Sequence, residues 1–258
     1  MIYHKIIIPL LIAVQFMTTV PVRLPYLPSR EQNALSMLFY PVIGLLIGGV
    51  LWLMASFIHL PIMLLSCLIV VAWVGLTGGL HLDGLADTAD AWVGGFGDRE
   101  RTLAIMKDPN AGAMGVIAIV LCLMLKWASV YGLLMLDDEY DVSFVWLMIP
   151  MLGRLGVLVL FATTPYVRQQ GLGSALQDVP KFLLWLVVVG FGVMLGVLSW
   201  QLAVVMLGVW VVMLSWLRWR FVGRLGGITG DTVGASIEMV EVAMLVSVVA
   251  VLYGGWMA

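Results

Sequence analysis

Charge is what this sequence has least of. Of its 258 residues only 11% are Asp, Glu, Lys or Arg, against roughly 25% in an average soluble domain. That shortfall excludes an ordinary water-soluble globule. The charges present nearly balance, to a net of -2, so there is no basic surface for nucleic acid and none is expected as a partner. Cysteine is almost missing: Cys67 and Cys122 both fall inside apolar runs and not at ligand spacing. They read as buried small hydrophobes, without a disulfide or a zinc site. The apolar stretch within the first twenty residues has no clear small-residue cleavage site followed by a soluble domain, so it reads as retained.

What remains is hydrocarbon: 62% of the residues are hydrophobic. Several apolar runs approach the ~20 residues that cross a ~30 Å hydrocarbon core as helix. Runs at 35–58, 62–80, 113–136, 142–164, 182–200, 202–217 and 236–256, with a short first helix at 6–20, predict an all-α, polytopic transmembrane helical bundle of about seven or eight spans. Residues 21–30, with three prolines and two arginines, read as an irregular connection. One integral membrane domain accounts for residues 1–258.

The cations are unevenly placed. Segments 21–32, 81–110, 164–181 and 218–230 alternate onto one side and hold Arg23, Arg30, Arg99, Arg101, Lys107, Arg168, Lys181, Arg218, Arg220 and Arg224. The other side shows His59, residues 137–141 and residues 199–201, with no Lys or Arg. By the positive-inside rule the first side is cytoplasmic, in an integral protein of the cytoplasmic (inner) membrane. Segments 81–110, 164–181 and 218–235 then carry the chemistry on one face.

The longest polar stretch opens Gly78-Gly79-Leu80-His81-Leu82-Asp83-Gly84-Leu85-Ala86-Asp87-Thr88-Ala89-Asp90. Asp83, Asp87 and Asp90 are spaced four and three apart, one face of a helix. Three carboxylates on one stripe repel unless a cation sits among them, and a hard divalent ion such as Mg2+ bridges such oxygens to a substrate phosphate. A solvated acidic turn is the plainer alternative. His81 reads equally as a general base, an orienting group or a helix cap.

A second cluster runs Gly226-Gly227-Ile228-Thr229-Gly230-Asp231-Thr232, then Glu238 and Glu241. Asp231, Glu238 and Glu241, seven and three apart, again share a face. Two of them intrude into a lipid-length segment and must face the bundle interior. The glycines, Gly227 and Gly230 among them, suit a phosphate at a helix start, or a turn in which Thr229 or Asp231 caps the helix. In both clusters an Asp follows a Gly-Gly pair by four residues. Arg99, Arg101 and Lys107 read as phosphate ligands or as membrane-surface anchors. Gly112 and Gly115 allow close backbone approach. Lys126 and Arg154 lie deep in their spans and must pair with acid or substrate. Tyr166, Arg168 and Gly171-Leu172-Gly173 form a turn suited to an anionic group.

These motifs together resemble the cobalamin synthase family (adenosylcobinamide-GDP ribazoletransferase). The first run carries the resemblance most specifically. It extends through Asp98-Arg99, Ile105-Met106-Lys107-Asp108, Gly112 to Gly115, Arg154, Tyr166 with Arg168, and residues 226–232 with Glu238 and Glu241. Ala91, Pro109 and Thr19 depart from the family's pattern, the last unless Arg23 substitutes. The resemblance implies a Mg2+-dependent membrane enzyme joining adenosylcobinamide-GDP to α-ribazole or its 5′-phosphate with release of GMP. On that reading Asp83, Asp87 and Asp90, with His81 provisional, are catalytic. Asp83, Asp87, Asp90, Asp231, Glu238 and Glu241 hold metal. Arg99, Lys107, Arg154, Arg168, Gly227 and Gly230 bind substrate. The rivals are an enzyme resembling the CDP-alcohol phosphatidyltransferases, whose Asp-Gly then Ala-Arg pattern is missing here, and an ion-coupled transporter. The sequence sets no oligomeric state and leaves a homo-oligomer open.

Overall fold

The computed structural model describes residues 3–137, 139–168, 172–198 and 200–255. The expected loop position Asp138, turn glycine Gly171, Ser199 and the span end Trp256 lie outside them. In chain order the helices are α1 (Ile8–Met17), α2 (Arg30–Ser36), α3 (Tyr40–Phe57), α4 (Ile62–Thr77), α5 (Leu80–Gly94), α6 (Arg99–Ile105), α7 (Ala113–Leu136), α8 (Ser143–Thr163), α9 (Leu172–Leu176), α10 (Lys181–Leu198), α11 (Trp200–Leu225) and α12 (Gly230–Tyr253). Among the described residues there is no β-strand, only a parallel bridge between Tyr166 and Ile228.

The all-α polytopic bundle expected from the sequence is the observed architecture. Among the described residues, five helical stretches are long and apolar enough to cross a membrane: Arg30–Phe57, Ala113–Leu136, Ser143–Thr163, Leu202–Leu225 and Gly230–Tyr253. A sixth forms if α4 and α5, bent 87° at their junction, count as one broken span. Two shorter apolar helices, Tyr3–Met17 and Lys181–Val193, make up the rest of the expected set. The run expected at 62–80 stops early because Gly78 and Gly79 both take left-handed backbone angles, φ 63° and 69°. At 1.5 Å per residue, α4 alone reaches only about 24 Å.

The core gathers on α8, which is buried along nearly its whole length. A Cβ on Gly44 would lie 2.5 Å from the Pro150 carbonyl oxygen, and one on Gly48 2.5 Å from that of Trp146. Backbones of α3 and α8 therefore touch, the close approach that small residues permit between helices in lipid. Pro150 brings no N–H to the Trp146 carbonyl four residues back, the same carbonyl that meets Gly48. The Trp210 indole donates to the Leu152 carbonyl at 2.8 Å, fastening α11 to α8. Outward faces carry Leu46, Leu53, Val116, Val120, Leu121 and Met124, an apolar surface suited to lipid. Cys122 is buried, but Cys67, expected inside, is exposed on α4; an apolar run buried in lipid shows its outer side as exposed, and the thiol lies on that side.

Candidate functional site

The site grows from the α4–α5 break. Thr19 holds α4's last turn: its amide donates to the Leu76 carbonyl at 2.8 Å and its hydroxyl to that of Gly75 at 3.0 Å. The chain then turns sharply, and α5 presents Asp83 exposed and Asp87 half-buried. Against α5 runs α12, started by a reciprocal cap in which the Thr232 amide donates to the Thr229 hydroxyl at 3.2 Å and the Thr229 amide to that of Thr232 at 2.8 Å. A Cβ on Gly84 would sit 2.7 Å from the Asp231 carbonyl, and one on Gly234 3.4 Å from the His81 Cα. The two helices thus pass in opposite directions at backbone contact. That contact brings Asp231 into the electrostatic neighbourhood of Asp87, together with Asp83, Asp90 and Arg168.

Arg168 answers this charge. Its Nη2 donates to Asp231 Oδ2 at 2.5 Å and to the Met106 carbonyl at 3.3 Å, while Nη1 reaches Asp231 Oδ1 at 3.5 Å. Its buried Nε has no partner among the described residues. A cavity of about 150 Å3 lies beside the cluster, lined by Asp83, Asp231, His81, Tyr40, Phe161 and Tyr166 among others. The Tyr166 ring stacks on Phe161, centroids 5.7 Å apart. Burial pushes its phenol above the ordinary range, so it is a neutral hydroxyl at physiological pH.

Other sequence candidates take different partners. Asp90 accepts from the amides of Gly112 (2.7 Å) and Gly115 (2.9 Å); it anchors the first turn of α7, where helix dipole and free amides favour an anion. Glu238 and Glu241, expected to complete a metal site, are corrected by the structure. Lys126 Nζ donates to Glu238 at 2.7 Å and to Glu241 at 2.9 Å, and Arg154 pairs with Glu241. The four side chains are almost wholly buried. Two positive and two negative charges neutralise one another, and Lys126 also lies 4.4 Å over the Trp73 ring. Arg154, expected to bind substrate or acid, is engaged by acid.

Gly227 is likewise corrected. A Cβ there would lie 2.2 Å from the Pro165 carbonyl, and Ile228 donates to that carbonyl at 2.9 Å. The glycine makes room for protein backbone, not phosphate. At Gly230, the Tyr166 hydroxyl would lie 3.7 Å from an added Cβ. Arg99 Nε donates to the Leu225 carbonyl at 2.7 Å, closing the C-terminal end of α11. Lys107 is exposed on the turn after α6, near Met106, whose carbonyl Arg168 holds.

His81 is 2% exposed. Arg154 Nη2 lies 3.4 Å from its Nδ1. A guanidinium only donates, so Nδ1 accepts and the ring proton sits on Nε2, which has no partner among the described residues. That tautomer makes His81 a hydrogen-bond donor toward the cavity.

Among the described residues, no three His, Cys, Asp or Glu side chains close around a common point as a metal centre. What the cluster offers is an open set of hard oxygens on Asp83 and Asp87. Mg2+ is commonly held so, by one or two carboxylates and substrate phosphates rather than by an all-protein cage. The residues fit such an ion. Sequence reasoning missed Thr19 as a helix stop and Arg224, which donates to the Thr102 hydroxyl at 3.0 Å and the Trp92 carbonyl at 2.8 Å. The only sequence signal for Arg224 was its place in a cation-rich connection.

Comparison with known proteins places nearly the whole chain. The family model for cobalamin-5-phosphate synthase matches residues 9–249. A protein of Acinetobacter baumannii named adenosylcobinamide-GDP ribazoletransferase is 49% identical over 240 residues, 92% of this chain and 95% of its own. Proteins of the same name from Pseudomonas fluorescens and Ectopseudomonas mendocina are 47% and 48% identical, covering 93% and 92% of this chain and 98% and 96% of their own. No solved structure matches the chain. The chain belongs to the cobalamin-5-phosphate synthase family.

Proposed function

We propose that this chain is an adenosylcobinamide-GDP ribazoletransferase, joining adenosylcobinamide-GDP to α-ribazole or its 5′-phosphate and releasing GMP. The observation that carries the reading is the meeting of α5 and α12, which sets Asp83, Asp87 and Asp231 around Arg168 beside a cavity. Displacement at phosphorus needs positioning and charge stabilisation more than covalent help from protein. An α-ribazole ribose hydroxyl oxygen forms a bond to the phosphorus on the cobinamide side. The bond from that phosphorus to the GMP oxygen breaks, and GMP leaves with the electron pair. The hydroxyl proton passes to the exposed Asp83 carboxylate and on to water. Arg168, held by Asp231, supplies positive charge to the pyrophosphate. The neutral Tyr166 hydroxyl and the His81 Nε2–H serve as donors at the cavity wall.

Mg2+ is part of this proposal. Asp83 and Asp87 would hold it, and it would neutralise phosphate charge and acidify the attacking hydroxyl. Family membership and the apolar helices support a membrane enzyme. The Lys and Arg asymmetry of the connections supports an inner-membrane placement with the active end in the cytoplasm.

The test is GMP release by detergent-purified protein given adenosylcobinamide-GDP, α-ribazole and Mg2+. Release that stops on chelation and returns with Mg2+ is expected. Absence of GMP, together with solute counterflow in vesicles, would overturn the reading in favour of a transporter.

A further inference from the structure

A second, larger cavity of about 970 Å3 lies between α1, the irregular segment 18–29 and α2, and shares Phe16, Tyr40 and Leu176 with the cavity beside the aspartates. We propose that this larger cavity seats the corrin macrocycle of adenosylcobinamide-GDP, an assignment that rests on the transferase reading above.

Size argues first. The reaction joins a large substrate to a small one, and the two adjoining cavities are similarly unequal. An apolar cavity of about 150 Å3 takes a benzene-sized ring, whereas a macrocycle needs the upper end of the 300–1,000 Å3 range usual for ligand sites. Position argues next. The Phe16 and Tyr40 rings stack with centroids 6.0 Å apart and 21° between their planes, forming a thin shared wall. A phosphate tethered to a macrocycle on one side reaches Asp83 and Asp231 on the other. The lining chemistry agrees as well. Gln15, Asn33 and Ser36 stand among apolar Ile12 and Leu24, and a corrinoid presents an apolar ring with amide arms at its rim.

The wall is also built, not a loose strap. The Tyr26 hydroxyl lies 2.8 Å from His4 Nδ1 and accepts from Gln32 Nε2 at 2.9 Å. Ser29 and Gln32 cap α2 reciprocally, and Arg30 pairs with Asp178 while donating to the Ser174 carbonyl at 3.0 Å. The proline-rich connection thereby has a use that no other part of the site gives it.

The experiment measures KM for each substrate in purified wild type, Leu24→Trp, Asn33→Ala and the outward-facing control Leu46→Trp, and titrates each with cobinamide lacking the nucleotide, read by tryptophan fluorescence quenching. Both cavity variants should raise KM for adenosylcobinamide-GDP at least tenfold with KM for α-ribazole unchanged, and should weaken quenching by cobinamide; the control should match wild type. Wild-type KM for adenosylcobinamide-GDP in either folded cavity variant overturns the proposal, as does a rise in KM for α-ribazole alone. A protein that binds cobinamide in this variant-sensitive way but releases no GMP keeps the cavity assignment and sinks the transferase reading.

Discussion

Pairing decides which acidic residues are free for chemistry. Glu241 stands between Lys126 and Arg154, so Glu241→Gln leaves a buried cation without its partner, a change that costs about 3–5 kcal/mol. Its expected signature is a lower melting temperature in detergent, with the response of the surviving activity to added Mg2+ the same as in wild type. A shifted response would return Glu241 to the metal site. Asp87 has the reverse profile: half-buried, amid three other aspartates, and repelled by them. Asp87→Asn should reduce GMP release at least about 100-fold while membrane insertion and melting temperature stay at wild-type values. Wild-type-like turnover in that variant would take α5 out of the chemistry. The four-residue interval told from sequence that Asp83 and Asp87 share a face. It could not tell that Asp90, on the same stripe, spends its oxygens on the amides of Gly112 and Gly115, because that partner comes from a helix more than twenty residues away.

Helix contact is governed here by missing side chains. The α5–α12 crossing depends on Gly84, whose added Cβ would meet Asp231 backbone at 2.7 Å; backbone cannot swing aside as a side chain can. Gly84→Ala should therefore spread the two helices and cut GMP release at least tenfold without loss of helical signal by circular dichroism. Gly49, whose Cβ would meet only the Leu147 side chain at 4.0 Å, is the control, and Gly49→Ala should keep full activity. Equal loss in both would make helix propensity, not separation, the cause. Spans were legible from apolar runs, but the last was expected from residue 236, whereas α12 begins at Gly230 behind Thr229, which the sequence offered only as one of two candidate caps. The stop at Gly78-Gly79 was not, because the Thr19 hydroxyl and amide that take up the freed carbonyls come from a segment whose role the sequence left unassigned. Likewise the Gly227 motif has a phosphate-like look, yet its free space is filled by Pro165 from another connection.

Across the whole molecule, the polar connections meet at one end. Arg99 reaches Leu225, Arg168 reaches Met106 and Asp231, and Arg30 reaches Asp178. The expected orientation of that end is open to a direct test in a background with Cys67→Ser and Cys122→Ser. His59→Cys should react with an impermeant maleimide on intact cells, and Gly97→Cys only after lysis; both positions are exposed. The opposite pattern would invert the topology.

The buried quartet also bears on how the protein is made. Arg154 is translated 87 residues, and Lys126 112 and 115 residues, ahead of the carboxylates that neutralise them. Each charge held alone at mid-bilayer costs roughly 2.5–3.5 kcal/mol on insertion scales. Nascent α7 and α8 carry that cost until the ribosome delivers α12. A product cut short before that helix carries two stranded cations, a ready mark for clearance by membrane proteases.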